Sequence, residues 1–219
     1  MILLIDTAQE TSTIALAENG RIFFLEDNPV TNDSASWLHP AVNRLLVQAG
    51  LNIRELDAVA VIAGPGSYTG LRVGLAAAKG FCYALKIPLI TQNTLRVMSV
   101  AMQARSLEWG TLICPMIDAR RDEVYTALYQ ADGLELISPR ALILDKNAFE
   151  KELSANGIVF FGTGAKKWEK INESSSALFE PQPISIQAFA KLAGEDYELE
   201  NWADPVLTEP VYLKEFFSY

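Results

Sequence analysis

Apolar and polar positions alternate along the chain in two different periods. "ILLID" (2–6) is a short apolar run closed by a carboxylate, the pattern of a buried strand. "TSTIALAE" (11–18), the turn "ENG" and "RIFFLE" (21–26) predict two further strands joined as a hairpin. The period then lengthens. "SWLHPAVNRLLVQAGL" (36–51) reads as a helix, "LDAVAVIAG" (56–64) as a strand and "GLRVGLAAAKGFCYALK" (70–86) as a second helix. "IPLIT" (87–91) and "TLRVMSVAMQAR" (94–105) add a strand and a helix.

The same order returns in the second half. "LICPMID" (112–118) is an apolar strand that again ends in Ile-Asp. "EVYTALYQ" (123–130), the turn "ADG" and "LELIS" (134–138) follow. Helices are expected at "DKNAFEKELSANG" (145–157), "GAKKWEKI" (164–171) and "SIQAFAKLAGEDYEL" (185–199), with the strand "IVFFG" (158–162) among them. Asp6 lies 14 positions before Gly20, and Asp118 lies 15 before Gly133. The repeat is one of pattern, with little residue identity. It predicts a duplicated α/β fold: two lobes, 1–105 and 106–219, each a mixed sheet flanked by helices, around a cleft.

Composition removes several functions. A net charge of −9 opposes direct binding to nucleic acid, which needs clustered Lys and Arg, and the only basic pairs are scattered ones such as Arg120–Arg121 and Lys166–Lys167. The single histidine, His39, precludes a zinc site of paired histidines and leaves no spare base for a Ser-His-Asp triad. Cys82 and Cys114 sit in apolar runs without metal spacing, as buried thiols in a reducing cytoplasm do. No apolar run approaches a membrane span and the opening lacks a basic leader, so neither a membrane nor an export segment is expected. No metal is expected, and no catalytic residue is assigned.

The stretch 60–81, "AVIAGPGSYTGLRVGLAAAKGF", carries the most information. Gly64, Gly66, Ser67 and Gly70 stand where a strand hands over to a helix, a place that suits a phosphate. The spacing matches neither the dinucleotide fingerprint nor the P-loop. Two readings stand: an anion loop served by Asp6, or glycines that let backbones approach closely. Asp6 and Asp118, ending equivalent strands, are either a facing carboxylate pair or turn caps, with Arg120 and Arg121 at hand for Asp118. The helix at 70–86 gathers Arg72, Lys79, Tyr83 and Lys86 in one sector and is apolar or small almost everywhere else. The helix at 36–49 shows the same excess. A helix covering one core needs a stripe of roughly 100°. The excess fits either a core side plus a partner side, or helices wedged under other elements of the chain.

"ILLIDTAQETSTIAL", "GPGSYTGLRVG", "IDARRDEVY" and "PVYLKEF" together resemble the TsaB/YeaZ family, over nearly the whole chain. The resemblance implies an actin/Hsp70-like (ASKHA) fold and a non-catalytic role. It implies a scaffold that pairs with the catalytic relative TsaD in threonylcarbamoylation of the tRNA adenosine beside the anticodon. It further implies the ATPase subunit TsaE as a third component, contact with tRNA only through the complex, a possible homodimer, and no cofactor beyond a nucleotide at the partner interface. On this reading the two N-terminal helices form the pairing face, with Trp37, Leu38, Val42, Leu45, Leu71, Leu75 and Lys79 as its candidates. The rival reading is a stand-alone ATPase or small-molecule kinase of the same fold, using Asp6 and the 64–70 loop. A metallopeptidase is the remotest reading.

Overall fold

The computed structural model describes residues 1–31, 33–105, 110–183 and 185–214. Its first sheet starts from the strand β1 (Ile2–Asp6), whose four apolar residues are all buried. β2 (Thr13–Glu18) and β3 (Arg21–Asp27) follow it as an antiparallel meander. β4 (Ala58–Gly64) then pairs with β1 in parallel, and β5 (Leu89–Asn93) pairs with β4 in parallel. The order is β3-β2-β1-β4-β5. β4, paired on both edges and buried along its whole length, is the uninterrupted apolar run that a two-sided strand requires.

The second sheet repeats the plan. β6 (Leu112–Asp118), β7 (Glu123–Tyr129) and β8 (Glu135–Ile143) form the meander. β9 (Ile158–Phe161) and β10 (Ala177–Phe179) join β6 in parallel succession, giving β10-β9-β6-β7-β8. Read from the meander edge, the two orders coincide. The duplication seen as Ile-Asp and a glycine turn is therefore a duplication of hydrogen-bonded topology.

Two compact units result: Met1–Val97 with Ile186–Val211, and Met98–Ser185 with the chain from Tyr212 onward. They divide the chain differently from the expected 1–105 and 106–219. The first boundary falls inside α3 (Thr94–Gln103), and α6 (Ile186–Glu198), expected in the second half, belongs to the first unit. α6 lies against β1, β2, β3 and β5. The reason is local. Gly194 and Gly20 permit close approach, since a Cβ on Gly194 would stand 3.0 Å from Gly20 N. Gln187 donates to the Gly20 carbonyl at 2.8 Å, and the Gln92 amide donates to the buried Asp196 carboxylate.

The other face of the first sheet presents Leu3, Ile5, Ile14, Leu16, Val59 and Val61 to α1 (Ser34–Ala49) and α2 (Tyr68–Leu85). In the second unit, Trp168 of α5 (Ala165–Glu169) is wholly buried among Phe149, Phe160 and Leu153, the last from α4 (Glu150–Ala155). Phe149 and Phe160 meet its ring edge-on at 6.0 and 6.1 Å.

Candidate functional site

β1 ends in a turn, Asp6-Thr7-Ala8, that lies under the start of α2. The Ala8 N–H donates to Asp6 Oδ1 at 3.0 Å, and Ser67 N–H donates to the Ala8 carbonyl at 2.7 Å. The Thr7 hydroxyl, wholly buried, donates to the Gly70 carbonyl at 2.7 Å. Ser67 caps α2, its Oγ accepting Gly70 N–H at 3.3 Å. A Cβ on Gly66 would stand 2.3 Å from the Ala8 carbonyl oxygen, one on Gly70 1.9 Å from that of Thr7, and one on Gly74 2.2 Å from Thr7 Oγ1. The glycines four apart thus form one groove along α2, and the chain's own Thr7-Ala8 backbone fills it. Gly64, at φ +121°, makes room for Val211, whose N–H donates to the Ala63 carbonyl at 2.7 Å. Of the two readings of the loop, close backbone approach accounts for each glycine. Burial pushes the Asp6 carboxyl up to about 6, against the pull of the Ala8 N–H.

The seven pairing candidates are placed otherwise than expected. Trp37, Leu38, Val42, Leu45, Leu71 and Leu75 are all buried, and all but Leu71 stand in the core cluster between sheet and helices. The apolar excess of α1 is explained by its position, wedged against both the sheet and α2. Lys79 alone lies near the surface, and its ammonium is engaged within the chain, donating to the carbonyls of Thr208 at 3.0 Å and Val206 at 3.3 Å. It clasps the segment after α6. That segment is also pinned where Ala203 N–H meets the Leu89 carbonyl at 2.8 Å and again at Val211.

What α1 and α2 turn outward is a different set. His39, Val73, Ala76, Gly80 and Phe81 line a shallow groove floored by the buried Ala77, with the His39 ring edge-on to Phe81 at 5.4 Å. Tyr83, one turn on, is 84% exposed. Small residues at 76 and 80 leave the α2 backbone approachable. In the sequence the signal for this face is the sector of the α2 wheel that Tyr83 shares with Arg72, a sector less apolar than the core positions.

In the second unit, Asp118 ends β6 with its carboxylate on Lys167 at 2.7 Å and accepts Arg120 N–H at 2.6 Å. Slight burial raises its pKa, while the Lys167 ammonium and the Arg120 N–H outweigh that and hold it below the usual carboxylate value. It caps its turn. Among the described residues no group of three or more His, Cys, Asp or Glu side chains is placed to hold a metal ion. Both cysteines are buried, and burial pushes the Cys82 thiol up to about 11 and the Cys114 thiol up to about 12. Glu215 and Phe216 of the closing motif lie outside the described residues.

Two sheets with one strand order, three antiparallel strands continued by two parallel ones, define a duplicated α/β protein of the actin-like class. Inorganic polyphosphate/ATP-glucomannokinase from Arthrobacter sp. strain KM has this fold, with a TM-score of 0.51 at 11% identity over 91% of this chain and 98% of that one. Nearer relatives are found by sequence. The tRNA threonylcarbamoyladenosine biosynthesis protein TsaB of Escherichia coli (strain K12) is 30% identical over 97% of this chain and 94% of its own. A crystal structure of a protein described as similar to peptidase YEAZ from Pseudomonas aeruginosa superposes with a TM-score of 0.81, at 26% identity, over 97% of this chain and 99% of that one. The family model described as TsaD, tRNA N6-adenosine threonylcarbamoyltransferase, matches residues 30–192. The chain belongs to the TsaB/YeaZ family.

Proposed function

We propose that this chain is the non-catalytic pairing subunit of a cytoplasmic machinery that threonylcarbamoylates tRNA at the adenosine beside the anticodon. It acts by presenting the outer face of α1 and α2 to a catalytic relative of the TsaD kind. A TsaE-like ATPase joins the pair, tRNA is met through the assembly, and the chain uses no cofactor of its own; in the absence of the relative the same face serves a second copy. The observation that carries this reading is the groove of His39, Val73, Ala76, Gly80 and Phe81, apolar and floored by small residues beside an exposed Tyr83. Gly66 and Gly70, which the kinase reading needs open to phosphate, are packed against Thr7 and Ala8 instead, which speaks for the scaffold over the kinase.

Ala76→Glu and Gly80→Glu test it. Both positions are exposed, so the fold tolerates the change. Burying an unpaired carboxylate in an interface costs several kcal/mol, so affinity for the co-expressed catalytic relative is expected to drop by more than about a hundredfold. Undiminished co-purification of both variants would overturn the assignment of the face. ATP turnover by the chain alone would restore the kinase.

A further inference from the structure

The hairpin between β6 and β7 carries a feature that pairing leaves unexplained. Arg120 and Arg121, at its tip, both have left-handed backbones, with φ of 67° and 51°. Two consecutive non-glycine residues in that region are disfavoured by the contact of Cβ with the backbone, and strain of this kind persists where the surroundings impose it. Here the turn's own hydrogen bonds, Glu123 N–H to the Arg120 carbonyl at 3.2 Å and Arg120 N–H to Asp118 at 2.6 Å, are braced by two lysines. Lys167, from α5, donates to the Arg121 carbonyl at 2.6 Å, to the Glu123 carbonyl at 3.3 Å and to Asp118 at 2.7 Å. Lys214 donates to the Ala119 carbonyl at 2.8 Å and pairs with Glu123. These two ammonium groups are engaged with Asp118, Glu123 and main-chain oxygens. The two guanidinium groups are held less closely: both arginines are exposed and neither closes an ion pair among the described residues, although the Arg120 charge helps to keep Asp118 ionised. Lys167 and the Arg120–Arg121 pair, some 45 positions apart in the sequence, thus meet at one hairpin of an otherwise acidic chain.

We propose that the Arg120–Arg121 tip is a phosphate-docking point for the RNA backbone. This rests on the function proposed above, and it places on this subunit part of the tRNA contact made by the assembly. The guanidinium fork matches phosphate oxygens two at a time. A convex tip suits successive phosphates of a strand, whereas a free nucleotide is held in a concave pocket. Holding the backbone rigid beneath the arginines removes conformational freedom they would otherwise lose on binding.

The test uses the complete chain paired with its catalytic relative and an unmodified tRNA transcript. The double variant Arg120→Gly, Arg121→Gly suits the left-handed backbone better than the native residues, so the hairpin is retained while both charges go. The variant is expected to co-elute with the relative as the native chain does. Its tRNA affinity at low salt is expected to fall about tenfold, and the slope of log affinity against log salt to flatten by about 1.5. Arg120→Lys with Arg121→Lys, which keeps the charges, is expected to retain most of the slope. Unchanged affinity and slope in the glycine variant would overturn the proposal. So would loss of ATP or pyrophosphate binding with tRNA binding intact, which would make the tip a small-nucleotide contact. Loss of co-elution by the glycine variant alone would make it a protein contact and also overturn the proposal. Failure of the native chain to pair would instead refute the function on which it rests.

Discussion

Replacing Gly70 by alanine is the sharpest check on the packing of α2. In an open helix the change is favourable, because alanine exceeds glycine by about 0.5–1 kcal/mol. At position 70 the new Cβ would stand 1.9 Å from the Thr7 carbonyl oxygen, and ordinary contact begins beyond 3.4 Å. The atom in the way is backbone, tied in turn through the Thr7 hydroxyl to the Gly70 carbonyl at 2.7 Å. Relief requires moving the end of β1 or the first turn of α2 by more than an ångström, and overpacking of that order costs roughly 3 kcal/mol. The net loss is then about 2 kcal/mol. Gly80, in the same helix, has nothing within 4 Å of its virtual Cβ, so Gly80→Ala isolates the propensity gain of about 0.5–1 kcal/mol. With a urea slope of about 2–3 kcal/mol per molar, Gly70→Ala lowers the midpoint by about 1 M and Gly80→Ala raises it by about 0.3 M. Circular dichroism during urea titration reads both. If Gly70→Ala stabilises the chain as Gly80→Ala does, the glycines are not there for close approach, and a ligand becomes the better account of the loop.

Two further outcomes are expected. Asp6 titrates near 6 in the folded chain against an ordinary value of 3.8, so the folded state holds its proton more tightly; stability is highest below about pH 4 on this account and falls by about 3 kcal/mol as pH rises through 6. Asp6→Asn should remove that fall and raise the urea midpoint at pH 7, and a pH profile identical to the native one would refute the assignment. Lys79→Met removes two hydrogen bonds to the segment after α6, each worth about 1 kcal/mol; hydrogen exchange at the Val211 amide should accelerate by about tenfold or more while the far-ultraviolet spectrum is unchanged.

Strands were readable wherever alternation met a turn residue, because a sheet fixes side chains to faces at period two. "LICPMID" is β6 residue for residue. Helix boundaries were less so. The helix expected over 145–157 shrinks to Glu150–Ala155, since the Asp145 carboxylate captures Asn147 N–H at 2.8 Å and Phe149 is left-handed. β10, three residues long, is too short for any period to register. The larger misreadings concern partners in space. An amphipathic helix announces that it has a core face and not which sheet it covers, so α6 was expected in the wrong half. The width of α1's apolar face reflects two neighbours within the chain. Lys79, judged by charge on a wheel, looked available to a partner because nothing local reveals that carbonyls 127 and 129 positions away come to meet it.

The first unit is discontinuous: its sheet is laid down by residue 97, but the helix that covers one face begins at Ile186. During synthesis at ~5–20 residues per second, the sheet waits on the order of ten seconds for that cover. Meanwhile β1, β2, β3 and β5 lack the helix that lies against them in the finished molecule. The nascent chain therefore passes through a period in which one face of its first sheet lacks that helix, and its dependence on chaperones should be concentrated there.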